Sequence, residues 1–318
     1  MAAGELALVG DIGATNARFA LLEPGGALTE TRVLLCEDYP TIAGAIAAYL
    51  AEAGDAKPVA GVLAVAATPT GDEVSMTNHP WTFSIEALRQ TIGLKRLKVV
   101  NDFHAAAAAV AHLKPDERVK VGRGEPAADA PIGIIGPGTG LGVSALVPTP
   151  AGLRPMPGEG GHVTMAPADA RESAVLELMR GRFDHVSAER ALSGPGLVNL
   201  YNALCELAHV KAAPLTAAQI TDAKIGAGDA CAREATAMFC AMLGTIAGNL
   251  ALTLGARGGI YIGGGIVPKL GDAFAQSRFR ERFEAKGRFR AYLALIPTYV
   301  IVRPFASLLG AAKLLEDN

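Results

Sequence analysis

The chain has 318 residues, half of them apolar, and 29 Lys and Arg stand against 31 Asp and Glu. That composition allows a sizeable core and about two domains, and it excludes a disordered chain. A formal net charge of −2 leaves no basic footprint for nucleic acid.

Met1 to Glu5 shows no basic stretch followed by a long apolar run, so no signal peptide is expected. Residues 5–10 read as a first strand, Asp11 to Asn16 as a turn and Ala17 to Leu22 as a second strand. Leu28 to Leu35 follows the Pro24-Gly25-Gly26 turn as a third strand, so the chain opens as an antiparallel meander. Thr41 to Ala53 reads as a helix ended by Gly54, Val59 to Ala66 as a strand buried on both faces, and Ser84 to Thr91 as a short helix capped by Ser84. Leu97 to Val100 is a strand with Asn101-Asp102 at its C-terminal end, and His104 to His112 is an Ala-rich helix. Strand ends of this kind are where α/β sheets place their chemistry.

A second part begins near Lys114. Glu117 to Val121 reads as a strand and 122–131 as a surface loop. Two apolar runs, Ile132 to Ile135 and Val143 to Val147, flank Gly136-Pro137-Gly138-Thr139-Gly140-Leu141-Gly142. Four glycines in seven residues let backbone N–H groups approach a phosphate, yet the stretch lacks the Gly-Lys-Ser/Thr of a P-loop and leads into a strand, not a helix. By itself it reads equally as a ligand loop or as a hairpin turn. A strand near Leu153 is followed by an irregular stretch over 155–167 that carries Glu159 and His162, then by a helix from Ala168 to Arg180. Helices are expected at about 195–208, 215–224 and 228–255, a strand at Gly259 to Ile262, a Gly263-Gly264-Gly265 loop, helices to Glu284, a strand at Thr298 to Arg303 and a last helix from Ser307 to Leu315.

Ala235 to Leu254 is the most membrane-like segment, but Gly244, Thr245, Gly248, Asn249 and Thr253 interrupt it, and it reads as a buried core helix. The Lys and Arg residues between Lys269 and Arg290 are mixed with Glu281 and Glu284, as on a solvated helix face. Cys36, Cys205, Cys231 and Cys240 form no CxxC pair and have no His close by, which reads as reduced, buried thiols of a cytoplasmic protein and not as a zinc site. Residues 5–22 and 132–147 echo each other as strand, Gly-rich turn and strand, the pattern of two similar α/β halves.

Six motifs together resemble the bacterial ATP-dependent glucokinases of the sugar kinase/actin-like ATPase superfamily. They are Gly10-Asp11-Ile12-Gly13-Ala14-Thr15-Asn16-Ala17-Arg18-Phe19-Ala20, Asn101-Asp102-Phe103, Gly136 to Gly142, Glu159-Gly160-Gly161-His162, Glu189 to Leu197, and Tyr261 to Pro268. The resemblance spans nearly the whole chain. It implies a two-domain, ribonuclease H-like α/β fold with the active site in the interdomain cleft. The small domain would be 1–113 plus 305–318 and the large one 114–304. It also implies a homodimer. Ala14 stands where the family usually has Gly, and Thr164-Met165 where it usually has Asp-Phe. The first departure requires a turn without a left-handed residue at position 14. The clustered zinc cysteines of the related kinase/repressor group are missing, which points to the glucokinase branch.

Under that resemblance Asp102 is the general base that takes the proton of the sugar 6-hydroxyl, with Asn101 fixing neighbouring hydroxyls. Read alone, the same pair is a helix cap. Glu159, His162 and Glu189 suit the other hydroxyls of glucose; the alternatives are a satisfied core His and two solvated Glu residues. Gly10, Asp11, Ile12, Gly13, Ala14 and Thr15 would face the β- and γ-phosphates of ATP, Asp11 orienting Mg²⁺ through water. Gly138 and Thr139 would hold phosphate, and Gly264 and Gly265 would let adenosine lie against backbone. Asn78-His79-Pro80-Trp81 reads as a loop at the rim of the sugar site, with Trp81 in the core as the alternative. Glucose and ATP are thus the expected partners, without nucleic acid or membrane. The competing readings are a kinase of the same fold for mannose, fructose or an N-acetylhexosamine, a polyphosphate or ADP donor, a sugar-sensing regulator, and an actin-like ATPase without a sugar site. The regulator would need a helix-turn-helix segment and a basic recognition helix, which the sequence does not show.

Overall fold

The structure, a computed structural model, describes residues 5–316, so the expectation for Met1 to Gly4 lies outside the described residues. The chain forms two compact units. One is Met1–Lys114 with Leu153–Pro157 and Arg303–Asn318, the other Pro115–Gly152 with Gly158–Val302.

The first unit contains β1 (Ala7–Ile12), β2 (Asn16–Leu22), β3 (Leu28–Leu35), α1 (Ile42–Glu52), β4 (Ala60–Val65), β5 (Glu73–Ser75), β6 (Thr82–Ser84), α2 (Ile85–Ile92), β7 (Arg96–Asn101) and α3 (Asp102–Val110). Its sheet runs β3-β2-β1-β4-β7, antiparallel through the opening meander and parallel from β1 to β4 and from β4 to β7. Successive residues of β1 serve opposite faces. Leu8 and Ile12 pack with Ile42, Ile46 and Tyr49 of the α1 region, while Ala7 and Val9 pack with Leu308, Ala311 and Leu315 of the C-terminal helix, Ala306–Glu316. The Ala run of α3 has a packing cause: a Cβ at Gly310 would collide with the carbonyl of Ala105, so both helices must present small residues where they meet.

The β5–β6 hairpin is missing from the sequence reading, because strands of three residues carry no alternation to read. It delivers Trp81 to the core, 3% exposed, with Nε1 donating to the Tyr39 carbonyl at 3.0 Å. Of the two readings of Trp81, the core is the one realised.

The second unit contains β8 (Arg118–Val121), β9 (Ile132–Pro137) and β10 (Leu141–Thr149). After β11 (Gly152–Gly158), whose residues Leu153–Pro157 belong to the first unit, the second unit resumes with α4 (Ala170–Arg180), α5 (Ala188–Ala191), α6 (Gly194–Leu207), α7 (Ala217–Thr221), α8 (Ala230–Leu254), β12 (Gly259–Ile262), α9 (Val267–Leu270), α10 (Asp272–Ala275), α11 (Phe279–Glu284), α12 (Arg290–Ala294) and β13 (Thr298–Ile301). The strands pair in the order β10-β9-β12-β13-β8, with β9–β12 and β12–β13 parallel and the two outer pairs antiparallel.

Helix α8 is long and apolar enough to cross a membrane, but most of it is buried inside the unit against α6 and α11. The glycines that interrupt its apolar run are contact points. A Cβ at Gly244 would collide with the Phe279 carbonyl, and one at Gly248 would lie 2.6 Å from that of Phe283. The Lys/Arg run after Lys269 is not a solvated face throughout. Arg282 is 5% exposed and forms a two-pronged ion pair with buried Glu172, at 2.7 and 3.1 Å. Arg280 donates to Glu284 and to the carbonyls of Leu293, Ala294 and Ile296. Buried acceptors that lie far along the chain draw these cations inward, and a local charge pattern cannot reveal that.

Candidate active site

In the first unit β1 continues through Asp11 and Ile12, which the sequence reading assigns to the turn. Asp11 is therefore a strand residue, paired in register with Arg18 of β2, and Arg18 Nη1 donates to Asp11 Oδ2 at 3.2 Å. Burial pushes the Asp11 carboxyl above the usual range, and the charge and hydrogen bond of Arg18 oppose that shift. The turn itself is closed by Gly13 N–H donating to the Asn16 carbonyl at 2.9 Å. It is tied to the end of β3 from outside: Cys36 N–H donates to the Thr15 carbonyl at 2.9 Å, and Cys36 Sγ to that of Gly13 at 3.5 Å. Ala14 is not among the residues with positive φ, so the turn accommodates alanine there. Gly10 is needed for packing, because a Cβ would lie 2.7 Å from Leu63 Cδ2.

Asn101 ends β7 and caps α3. Its Oδ1 accepts from the N–H groups of Phe103 and His104 at 2.9 and 3.3 Å, and its Nδ2 donates to the Ala67 carbonyl at 3.0 Å. The cap reading is thus realised for Asn101, with one amide proton left over. Asp102 is the first residue of the helix, half-buried, and its Oδ1 accepts from Phe103 N–H at 2.9 Å. Burial, then the charge of Lys98, pushes the neighbouring His104 imidazole below its ordinary value.

In the second unit the glycine stretch is mostly strand. Only Gly138, Thr139 and Gly140 lie between β9 and β10, closed by Gly138 N–H donating to the Gly140 carbonyl at 2.8 Å. Of the two readings left open, the backbone realises a hairpin turn, with Thr139 exposed at its tip. Three other elements converge on it. Gly194 N–H, at the start of α6, donates to the Gly138 carbonyl at 2.8 Å. Gly264 adopts φ 78° and lies so close to the Pro137 carbonyl that a Cβ would collide with it. Glu189, in α5, accepts from Leu141 N–H through Oε2 at 2.8 Å.

The stretch 155–167 is less irregular than expected. Glu159 precedes a single 3₁₀ turn over Gly160–His162, and His162 N–H donates to the Glu159 carbonyl at 3.0 Å. A Cβ at Gly161 would collide with the Leu141 carbonyl, so the paired glycines let this turn lie on β10. Thr164 bridges Ser187, Met165 N–H donates to Val186 and Ala188 N–H to Val163. That short ladder brings His162 and Glu189 together. Both line a depression of about 470 Å³, whose wall also includes Arg182, His185 and Arg190. Sequence reasoning gave no role to Arg18, His185 or Arg190. Arg18 was findable, since a four-residue turn after Ile12 makes it the cross-strand partner of Asp11. His185, 3.0 Å from Thr164 Oγ1, and Arg190, stacked 4.4 Å from the Phe183 ring centre, carry no sequence signal.

The glucokinase family model matches residues 8–318. The chain belongs to the glucokinase family. It is 52% identical to the glucokinase of Paramagnetospirillum magneticum over 315 residues, 98% of each chain. Among solved structures it is similar to a glucokinase from an Antarctic psychrotroph, with 34% identity, a TM-score of 0.86 and 99% of each chain covered. A ROK-family glucokinase from Streptomyces griseus, solved with glucose and AMPPNP, matches at 21% identity and a TM-score of 0.69 over 98% of this chain and all of that one, a likeness of fold. The fold is that of the actin-like ATPase sugar kinases, as the motifs imply.

Glucokinase chemistry calls for a divalent cation on the phosphates. Among the described residues no group of three or more His, Cys, Asp or Glu side chains could cage a metal. The part-buried Asp11 carboxylate, in the strand that leads into the first turn, fits an ion held chiefly by phosphate oxygens and water, the usual manner of Mg²⁺.

Proposed function

We propose that this chain transfers the γ-phosphoryl group of ATP to the 6-hydroxyl of D-glucose, giving glucose 6-phosphate and ADP. The observation that carries this reading is 52% identity to a glucokinase over 98% of both chains. The chemistry asks for a base at the accepting hydroxyl, groups that recognise the remaining hydroxyls and backbone donors for the phosphates. Asp102 is the base, accepting the 6-hydroxyl proton as the oxygen attacks phosphorus. Asn101 contributes its remaining amide proton, and Glu159, His162 and Glu189 bind the other hydroxyls. A carboxylate and an imidazole on one ladder can accept and donate in the plane of a pyranose, and they penalise sugars that leave them unpaired. Gly10, Asp11, Ile12, Gly13, Ala14 and Thr15 form one phosphate turn, Gly138 and Thr139 the other, and Gly264 and Gly265 hold adenosine. Asp11 would hold Mg²⁺ through water, and the ion would spread the charge of the transferring group. The four buried free thiols suit a reducing cytoplasm, where the enzyme would feed glycolysis as a homodimer.

Formation of glucose 6-phosphate from ATP and Mg²⁺ tests the reading, with mannose, fructose and N-acetylglucosamine assayed alongside. Turnover on glucose above the others is expected. ATP binding without turnover on any sugar would overturn it in favour of an ATPase without a sugar site.

A further inference from the structure

Glu189 has two carboxylate oxygens, and the structure assigns them different work. Oε2 accepts from Leu141 N–H at 2.8 Å, at the exit of the turn that carries Gly138 and Thr139. Oε1 remains for the depression that Glu189 lines with His162. The contact is made possible by Gly140, since a Cβ there would collide with Oε2. By contrast, nothing lies within 4 Å of a Cβ at Gly138. The turn is fixed on its other side by Gly194 N–H, five residues beyond Glu189 in the chain, and Ser193 Oγ donates back to the Glu189 carbonyl at 2.8 Å. The segment 189–194 thus grips both ends of the turn.

We propose that Glu189 is a positioning residue for the phosphate turn as well as a sugar ligand, so that one carboxylate couples glucose binding to nucleotide binding, and that Gly140 determines sugar affinity without touching the sugar. This rests on the assignment of Glu189 to the sugar and of Gly138 and Thr139 to phosphate. The coupling is thermodynamic and runs both ways: sugar at Oε1 orders the carboxylate that holds the turn, and phosphate at the turn orders the carboxylate that receives the sugar. A charge-assisted hydrogen bond to a backbone amide is strong enough to carry it.

The test measures glucose binding and AMPPNP binding by calorimetry on the full chain, each with and without the other ligand. Wild type is expected to bind each ligand more tightly when the other is present. Gly140→Ala should weaken glucose binding by about tenfold, the size of one lost polar contact, and should abolish the mutual enhancement. Gly228→Ala, at a glycine of the same unit outside both the turn and the depression, should leave glucose affinity within about twofold of wild type, because a Cβ there meets nothing. Glu189→Asp, too short to reach the Leu141 amide, covers the case in which Gly140→Ala does not fold. It should weaken AMPPNP binding in the sugar-free protein, a readout that a role confined to the sugar would not move. Wild-type glucose affinity in folded Gly140→Ala, or unchanged AMPPNP affinity in Glu189→Asp, would overturn the proposal. A wild type that binds AMPPNP but no glucose would instead defeat the functional reading on which it rests.

Discussion

The sheets of the two units share one plan and finish it differently. In each, a hairpin of two antiparallel strands (β1–β2, β9–β10) is extended by a parallel strand beside its first member (β4, β12) and by a further parallel strand (β7, β13). The hairpin turns occupy the same place in the plan, yet the strand that leads into the first carries a charge and the strand that leads into the second does not. Asp11 enters the first turn from the strand and is answered by Arg18 across the ladder. The second turn holds only Gly138, Thr139 and Gly140 and is propped by the carboxylate of Glu189, some fifty residues further along the chain. A carboxylate in the strand beside a turn suits a cation at its phosphates, whereas a turn without one offers only N–H groups. The duplicated scaffold thus supplies position, and the residues added to each copy supply chemistry.

The sharpest asymmetry lies at the strand ends. Only the first unit places an Asn-Asp pair where β7 passes into a helix, so replacing Asp102 should have the largest effect. Asp102→Ala is expected to keep glucose binding and to lose about 10²- to 10⁴-fold in kcat, the range for a removed general base. Calorimetry and a coupled assay read the two separately, and near-normal turnover would take Asp102 out of the mechanism.

Next in size is a test of how differently the units are held together. The second unit buries the Arg282–Glu172 pair, whereas the first closes on small apolar contacts such as Ala105 against Gly310. Arg282→Met leaves the buried Glu172 carboxylate with the Ala168 N–H but no counter-charge and should cost about 3–5 kcal/mol in urea unfolding. Pairing it with Glu172→Leu should restore much of the loss; no recovery would mean that the geometry of the pair, and not its charge, is what the unit needs.

The turns themselves can be exchanged in character. Ala14→Gly gives the first turn the residue usual in the family, at a position without positive φ. It should lower stability by about 0.4–1 kcal/mol through the freer unfolded chain, with little change in KM for ATP. A large change in KM would show that position 14 needs the left-handed conformation.

The smallest expected effect is one of slope. The folded state binds the His104 proton more weakly than the unfolded chain does, so stability should fall as pH drops below about 6.5. His104→Gln should flatten that decline when unfolding is compared at pH 7.5 and pH 5.5. An equal decline in both proteins would assign the pH dependence to other groups.

The sequence by itself determined the family, the element order and most strand and helix types, because these are written in local period, in caps and in motifs. Leu28–Leu35, Gly259–Ile262 and the helix that Ser84 caps are examples. The candidate residues were legible for the same reason, since each stands in a short motif. Tertiary structure alone decided what surrounds them. Neither the join of Glu189 to Leu141 nor the packing of the Glu159–His162 turn on β10 leaves a local trace, because each joins parts distant in the chain. The inward turn of Arg280 and Arg282 likewise depends on acceptors elsewhere in the fold. Trp81 had two consistent readings, rim and core, and only the β5–β6 hairpin chose between them. Local pattern determines what a segment becomes, whereas the partner of a polar group is set by close approach in three dimensions.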